Sequence, residues 1–124
     1  MDAPLLLELL RSSDPPQIVQ NRCYAKTGWD YEIRKICREH DVIYEGFSLL
    51  TANRDVLHDP QGPIARAARR LGKTREQIVF RFAMQIGMVV ITGTTSELHM
   101  TQDLEVYGFE LTEDEVRDIE QSGV

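Results

Sequence analysis

Apolar residues recur along this chain at two spacings, and each change of spacing marks a boundary between elements. The first run, Leu5 to Leu10, reads as a short helix that stops before Asp14-Pro15-Pro16, where consecutive prolines cannot continue it. Ile18-Val19 opens a short strand ending near Arg22, and Thr27-Gly28 is turn chemistry. Asp30 is placed as the N-cap of a helix from Tyr31 to His40, where Ile33, Ile36 and Cys37 recur at helical spacing. Val42 to Ser48 is rich in β-branched and aromatic types and predicts a second strand. A loop through Asn53 and Pro60-Gln61-Gly62-Pro63 follows it.

Ile64, Ala67, Ala68 and Leu71 give the next helix one apolar face, and Gly72 ends it. Thr74 and Gln77 fit a capping box, opening a helix with Ile78, Phe82 and Ile86 on one stripe. Gly87 breaks that helix, and Met88 to Ile91 predicts a third strand. A helix is expected from near Ser96 to about Val106. Thr112 and Glu115 form a second capping-box pattern before a final helix to about Gln121. Strands alternating with helices imply an α/β fold of parallel βαβ units with right-handed crossovers. Three strands make a very small parallel sheet, and such strands need both faces covered and both edges paired. The pattern therefore reads as part of a larger architecture.

Composition narrows the function. The 124 residues are enough for one domain, and 42% apolar with 27% charged residues describes a soluble globular chain. A net charge of −6 argues against a nucleic-acid partner, which needs a basic face. Arg66, Arg69, Arg70, Lys73 and Arg75 form a local basic cluster, read as a solvated helix face. No apolar run approaches the roughly 20 residues of a membrane span. Leu5-Leu6-Leu7 is interrupted by Glu8 and has no basic segment before it, so no signal peptide is expected. Cys23 and Cys37 lack metal-ligand spacing and are expected to be buried free thiols of a cytoplasmic protein. His40 and His58 have no partner at ligand spacing, so no metal site is expected.

Four stretches carry a family resemblance: "PQIVQN", "VIYEGFSLL", "LGKTREQIVFRFAMQIGMVVITGTTS" and "DLEVYGFELTEDEV". In this order and spacing they resemble the C-terminal portion of the aldo-keto reductases, NAD(P)H-dependent enzymes built on a (β/α)8 TIM-type barrel. The resemblance spans about Leu5 to Ile119 and implies that the three strands are strands six to eight of an incomplete barrel. In such barrels the ligand end is the C-terminal face, and phosphates often sit at the loops after the last two strands. Thr92 to Ser96 falls there. Read from its chemistry alone, that stretch is a strand-to-helix loop with Ser96 as the cap.

The resemblance also implies cofactor contacts for NADP or NAD. Phe47 sits where the family usually has a tyrosine stacking on the nicotinamide, and Ser48 and Leu50 fall where a loop approaches the pyrophosphate. Gln20, or Asn21 if the register slips by one, matches the amide that binds the carboxamide. Glu45 shares strand parity with Phe47, and it either points into the barrel interior or is an exposed charge. After the third strand the family has a lysine, a serine and, five residues beyond the serine, an arginine, of which the lysine and arginine neutralise a 2′-phosphate. Here Gly93, Thr94 and His99 stand at those positions, with Thr95 alongside, and Gln102-Asp103 replaces the pair that reads adenine. Both permanent cations are absent, which leaves NADH against NADPH open; His99 helps only when protonated.

The family's catalytic aspartate, tyrosine, lysine and histidine lie on elements that precede the matched region, and no motif here substitutes for them. The resemblance therefore implies a cofactor-binding portion of a carbonyl/alcohol oxidoreductase that is not competent alone. A non-catalytic nucleotide- or protein-binding module and an inactive gene fragment are the alternatives. An isolated sheet of this kind leaves apolar surface wet at about 25 cal/mol per Å2. Low stability, self-association or dependence on an N-terminal half is the expected consequence.

Overall fold

The computed structural model describes residues 1–90 and 106–124. Three parallel strands, β1 (Ile18–Arg22), β2 (Ile43–Phe47) and β3 (Val89–Val90), lie in the order β1-β2-β3. Around them run α1 (Ala3–Leu10), α2 (Tyr31–Glu39), α3 (Arg54–His58), α4 (Pro63–Leu71), α5 (Arg75–Gln85) and α6 (Glu113–Gln121). Ile91 and the helix expected from Ser96 lie outside the described residues; Val106, where that helix was to end, opens a 3-10 turn to Gly108. No helix among the described residues is long and apolar enough to cross a membrane.

Local chemistry sets several helix ends. Both capping boxes form: Thr74 with Gln77 opens α5, and Thr112 with Glu115 opens α6. Gly72, at φ 66°, terminates α4 in the left-handed region that glycine enters without steric penalty. Helix α1 begins two residues before its apolar run, because Asp2 accepts the Leu5 N–H at 2.9 Å and Pro4 occupies the first turn.

Two expectations are corrected. Asp30 stands at the N-cap of α2 but makes no capping bond. Its backbone is left-handed, at φ 61°, and its carboxylate accepts from Asn21 Nδ2 at 2.8 Å and from the Tyr44 hydroxyl at 2.7 Å. A buried amide and phenol are more costly to leave unpaired than helix N–H groups that reach water. The tertiary demand therefore overrides the local cap. The second correction is α3, which occupies part of the expected loop. Its five residues are too few to show a helical period, although Leu57 buries itself in the core.

The sheet is dressed on one side. Val19, Asn21, Tyr44 and Gly46 face the helices and are buried, joining Ile64, Ile78, Phe82 and Ile119 around the core. Gly46 leaves room there for the Met88 sulfur, which a Cβ would displace. On the other face Ile18, Ile43 and Val89 are each 49% exposed and Phe47 is 36% exposed. Parallel strands are normally covered on both faces, so this row of apolar side chains is the surface the sequence leads one to expect uncovered.

Of the basic cluster, Arg66, Arg69 and Arg70 are exposed, whereas Lys73 and Arg75 are partly buried. Arg70 extends from α4 to make a bidentate pair with Glu115 of α6, at 2.8 and 2.6 Å. That pairing holds the Glu115 carboxyl below the ordinary carboxylate range. Cys23 and Cys37 are free and buried. Burial pushes the Cys23 thiol up to about 12 and raises that of Cys37, so neither offers a thiolate at neutral pH. A thiol-specific reagent is expected to leave both unlabelled in the folded chain and to label both in denaturant. Fast labelling without unfolding would contradict this packing.

Candidate functional site

The C-terminal ends of β1 and β2 deliver two loops to one end of the sheet, and buried bonds fix both. Asn53, just before α3, accepts the Ala25 N–H at 2.7 Å. Its Nδ2 donates to the carbonyls of Cys23 and Leu49, each at 2.8 Å. One side chain thus ties the exit of β1 to the exit of β2. Beyond the 3-10 turn Ala25–Thr27, Gly28, Trp29 and Asp30 are all left-handed, at φ 66°, 58° and 61°. Non-glycine residues in that region are strained. The Arg34 guanidinium, itself buried, holds this turn by donating to the carbonyls of Trp29 at 2.7 Å and Gly28 at 3.0 Å. Arg34 also pairs with Glu120 of α6 at 3.4 Å, and the Trp29 indole N–H donates to the Ile119 carbonyl at 2.9 Å.

Gln20 and Phe47 both lie on the open face of the sheet, with Gln20 opposite Glu45 and Phe47 opposite Arg22. Asn21, the other register choice, is buried on the helix side with its Nδ2 bound to Asp30 and to the Met1 carbonyl. Gln20 is therefore the amide that the open face presents. Ser48 follows Phe47 at φ 58°, another left-handed non-glycine, and its carbonyl accepts the Ala52 N–H at 2.9 Å. Leu50 is half-buried against the core. Gly93, Thr94, Thr95, His99, Gln102 and Asp103 lie outside the described residues.

An amide and an aromatic ring on one face near the strand ends suit a flat, hydrogen-bonding ring. Between the two exit loops lies a cleft of about 320 Å3 lined by Tyr24, Lys26, Thr51, Asn53, Arg54 and Gly123. Sequence reasoning passed over Asn53 and the Gln20–Glu45 pairing. The first carries no local signal, because its partners lie as many as 30 residues away. The second follows from strand parity once the register is known. Among the described residues no group of three or more His, Cys, Asp or Glu side chains could hold a metal ion.

No protein-family model matches the chain. Individual proteins do. It is 33% identical over 85 residues to an aldo-keto reductase of Mycobacterium sp. (strain MCS), covering 68% of this chain and 29% of that protein. It is 30% identical over 97 residues to aldo-keto reductase family 1 member D1 of Oryctolagus cuniculus, covering 72% of this chain and 30% of that protein. An uncharacterised oxidoreductase of Schizosaccharomyces pombe is 31% identical over 88 residues, covering 71% of this chain and 30% of its own length. The chain is related to the aldo-keto reductases.

Solved aldo-keto reductases carry the same fold. One from a Medee basin deep-sea metagenome library aligns with a TM-score of 0.84 at 22% identity, covering 100% of this chain and 46% of its own. A Gox0644 variant crystallised with NADPH aligns with a TM-score of 0.82 at 24% identity, covering 98% of this chain and 44% of its own. The chain thus spans about 30% of the length of the curated relatives it matches and under half of these solved reductases. Its parallel sheet is an incomplete (β/α)8 barrel, matching the C-terminal portion of the aldo-keto reductase fold.

Proposed function

We propose that this chain is the cofactor-binding C-terminal portion of an NAD(P)-dependent aldo-keto reductase. The observation that carries this reading is the placement of Gln20 and Phe47 together on the open sheet face near the strand ends. Phe47 offers a half-covered π-face to a nicotinamide ring, and the Gln20 amide offers hydrogen bonds to its carboxamide. Ser48 and Leu50, on the loop that Asn53 anchors, flank the pyrophosphate. Gly93, Thr94, Thr95, His99, Gln102 and Asp103 take the adenosine end, where the missing cations leave the choice between NAD and NADP open.

When bound, the dinucleotide supplies a hydride for a carbonyl substrate. This chain's share is to bind and orient the ring; the acid that protonates the carbonyl oxygen belongs to other elements of the barrel. The open row of Ile18, Ile43 and Val89 supports covering by those further βα units. The same row supports a second reading, a protein-binding module without catalysis. A cytoplasmic site of action goes with either, supported by the two free buried thiols.

Titration with NADH and NADPH decides between them. Trp29 is buried on the helix side against Phe82, so emission from the reduced nicotinamide is the better reporter. Saturable binding is expected, weakened about tenfold by Phe47→Ala through lost stacking. A folded chain that binds neither nucleotide would remove the first reading.

A further inference from the structure

We infer that Glu45 sets the ligand preference of the open face by fixing which end of the Gln20 amide is presented. The inference rests on the dinucleotide reading above and specifies what the ring must carry. Gln20 and Glu45 are direct cross-strand partners, and Gln20 Nε2 donates to Glu45 Oε2 at 2.8 Å. An ionised carboxylate only accepts hydrogen bonds, so the amide can meet it in one orientation alone. Nε2 is turned to Glu45, and Oε1 is left as the free end. Phe47, two residues beyond Glu45, presents its ring on the same face of the sheet.

A free carbonyl oxygen asks for a donor. A carboxamide-bearing pyridine ring supplies one through its NH2, whereas a ring bearing a carboxylate offers only acceptors. The carboxylate ring would also bring a second negative charge to the face that carries Glu45. Glu45 is thus a specificity-determining position that favours nicotinamide over nicotinic acid dinucleotides. It acts through Gln20, as a positioning residue.

The test is competition of NAD and of nicotinic acid adenine dinucleotide against fluorescent NADH on the full chain. The wild type is expected to prefer the carboxamide ligand. Glu45→Gln removes the charge and frees the Gln20 amide to turn, and should shrink that preference about tenfold. Glu45→Lys donates to Gln20 Oε1 instead, turns Nε2 toward the ligand, and should reverse the preference. Position 45 is on the open face, so both variants are expected to melt near the wild-type temperature. A purely structural role would lower the melting point and weaken both ligands alike, leaving their ratio fixed. A fixed ratio in both variants overturns the inference. A wild-type chain that binds no dinucleotide overturns the parent reading and this inference with it.

Discussion

Replacing Trp29 with alanine is expected to destabilise the chain by about 3–5 kcal/mol, a large part of the stability of a domain this size. The indole is fully buried and meets the Phe82 ring edge-on, with centroids 5.2 Å apart at 61°. Its N–H reaches the Ile119 carbonyl, so one side chain fills the core and moors α6. Trp29→Phe separates the two contributions. It keeps most of the ring but leaves the carbonyl without its donor, for an expected loss of about 1–3 kcal/mol. Urea denaturation followed by far-ultraviolet circular dichroism measures both variants without relying on tryptophan emission. A Trp29→Ala midpoint equal to that of the wild type would show that this core is not what holds the chain together.

Asn53→Ala should have the next largest effect, about 2–4 kcal/mol, because it strands three buried backbone groups at once. Asn53→Asp is expected to do no better. A carboxylate still accepts from Ala25, but it cannot donate to Cys23 or Leu49, and its charge is buried among carbonyl oxygens. The two substitutions also loosen the loops that carry Ser48 and Leu50. Dinucleotide affinity should therefore fall further in Asn53→Ala than in Trp29→Phe when the two are compared at temperatures giving equal folded fractions. Equal affinities under that match would confine Asn53 to stability.

What the sequence discloses here is what neighbours within one turn decide. Thr74 with Gln77, Thr112 with Glu115, and Gly72 act on backbone groups three or four residues away, so their helix ends are readable in advance. Alternation of strand and helix likewise conveys the parallel α/β class, and "VIYEGFSLL" with its companions conveys the family. Asp30 was misread because the groups competing for its carboxylate, Asn21 and Tyr44, sit on strands whose register no local pattern reveals. Asn53 looked like an ordinary turn residue for the same reason. At the site, parity placed Phe47 and Glu45 on one face, but only the observed pairing separates Gln20 from Asn21 and brings Gln20 to Glu45.

The Trp29–Ile119 bond has a bearing on folding order. It joins residues 90 positions apart, whereas the strand pairings β1–β2 and β2–β3 join residues 25 and 44 apart. Contacts between distant residues form only after loop-closure entropy has been met, and nearer pairings reduce it for those that follow. Closure of the Trp29–Ile119 bond is accordingly expected to come late, after the sheet and the nearer Arg70–Glu115 contact of α6 have formed. Substitutions that remove this bond should then act mainly on how fast the chain comes apart rather than on how fast it assembles.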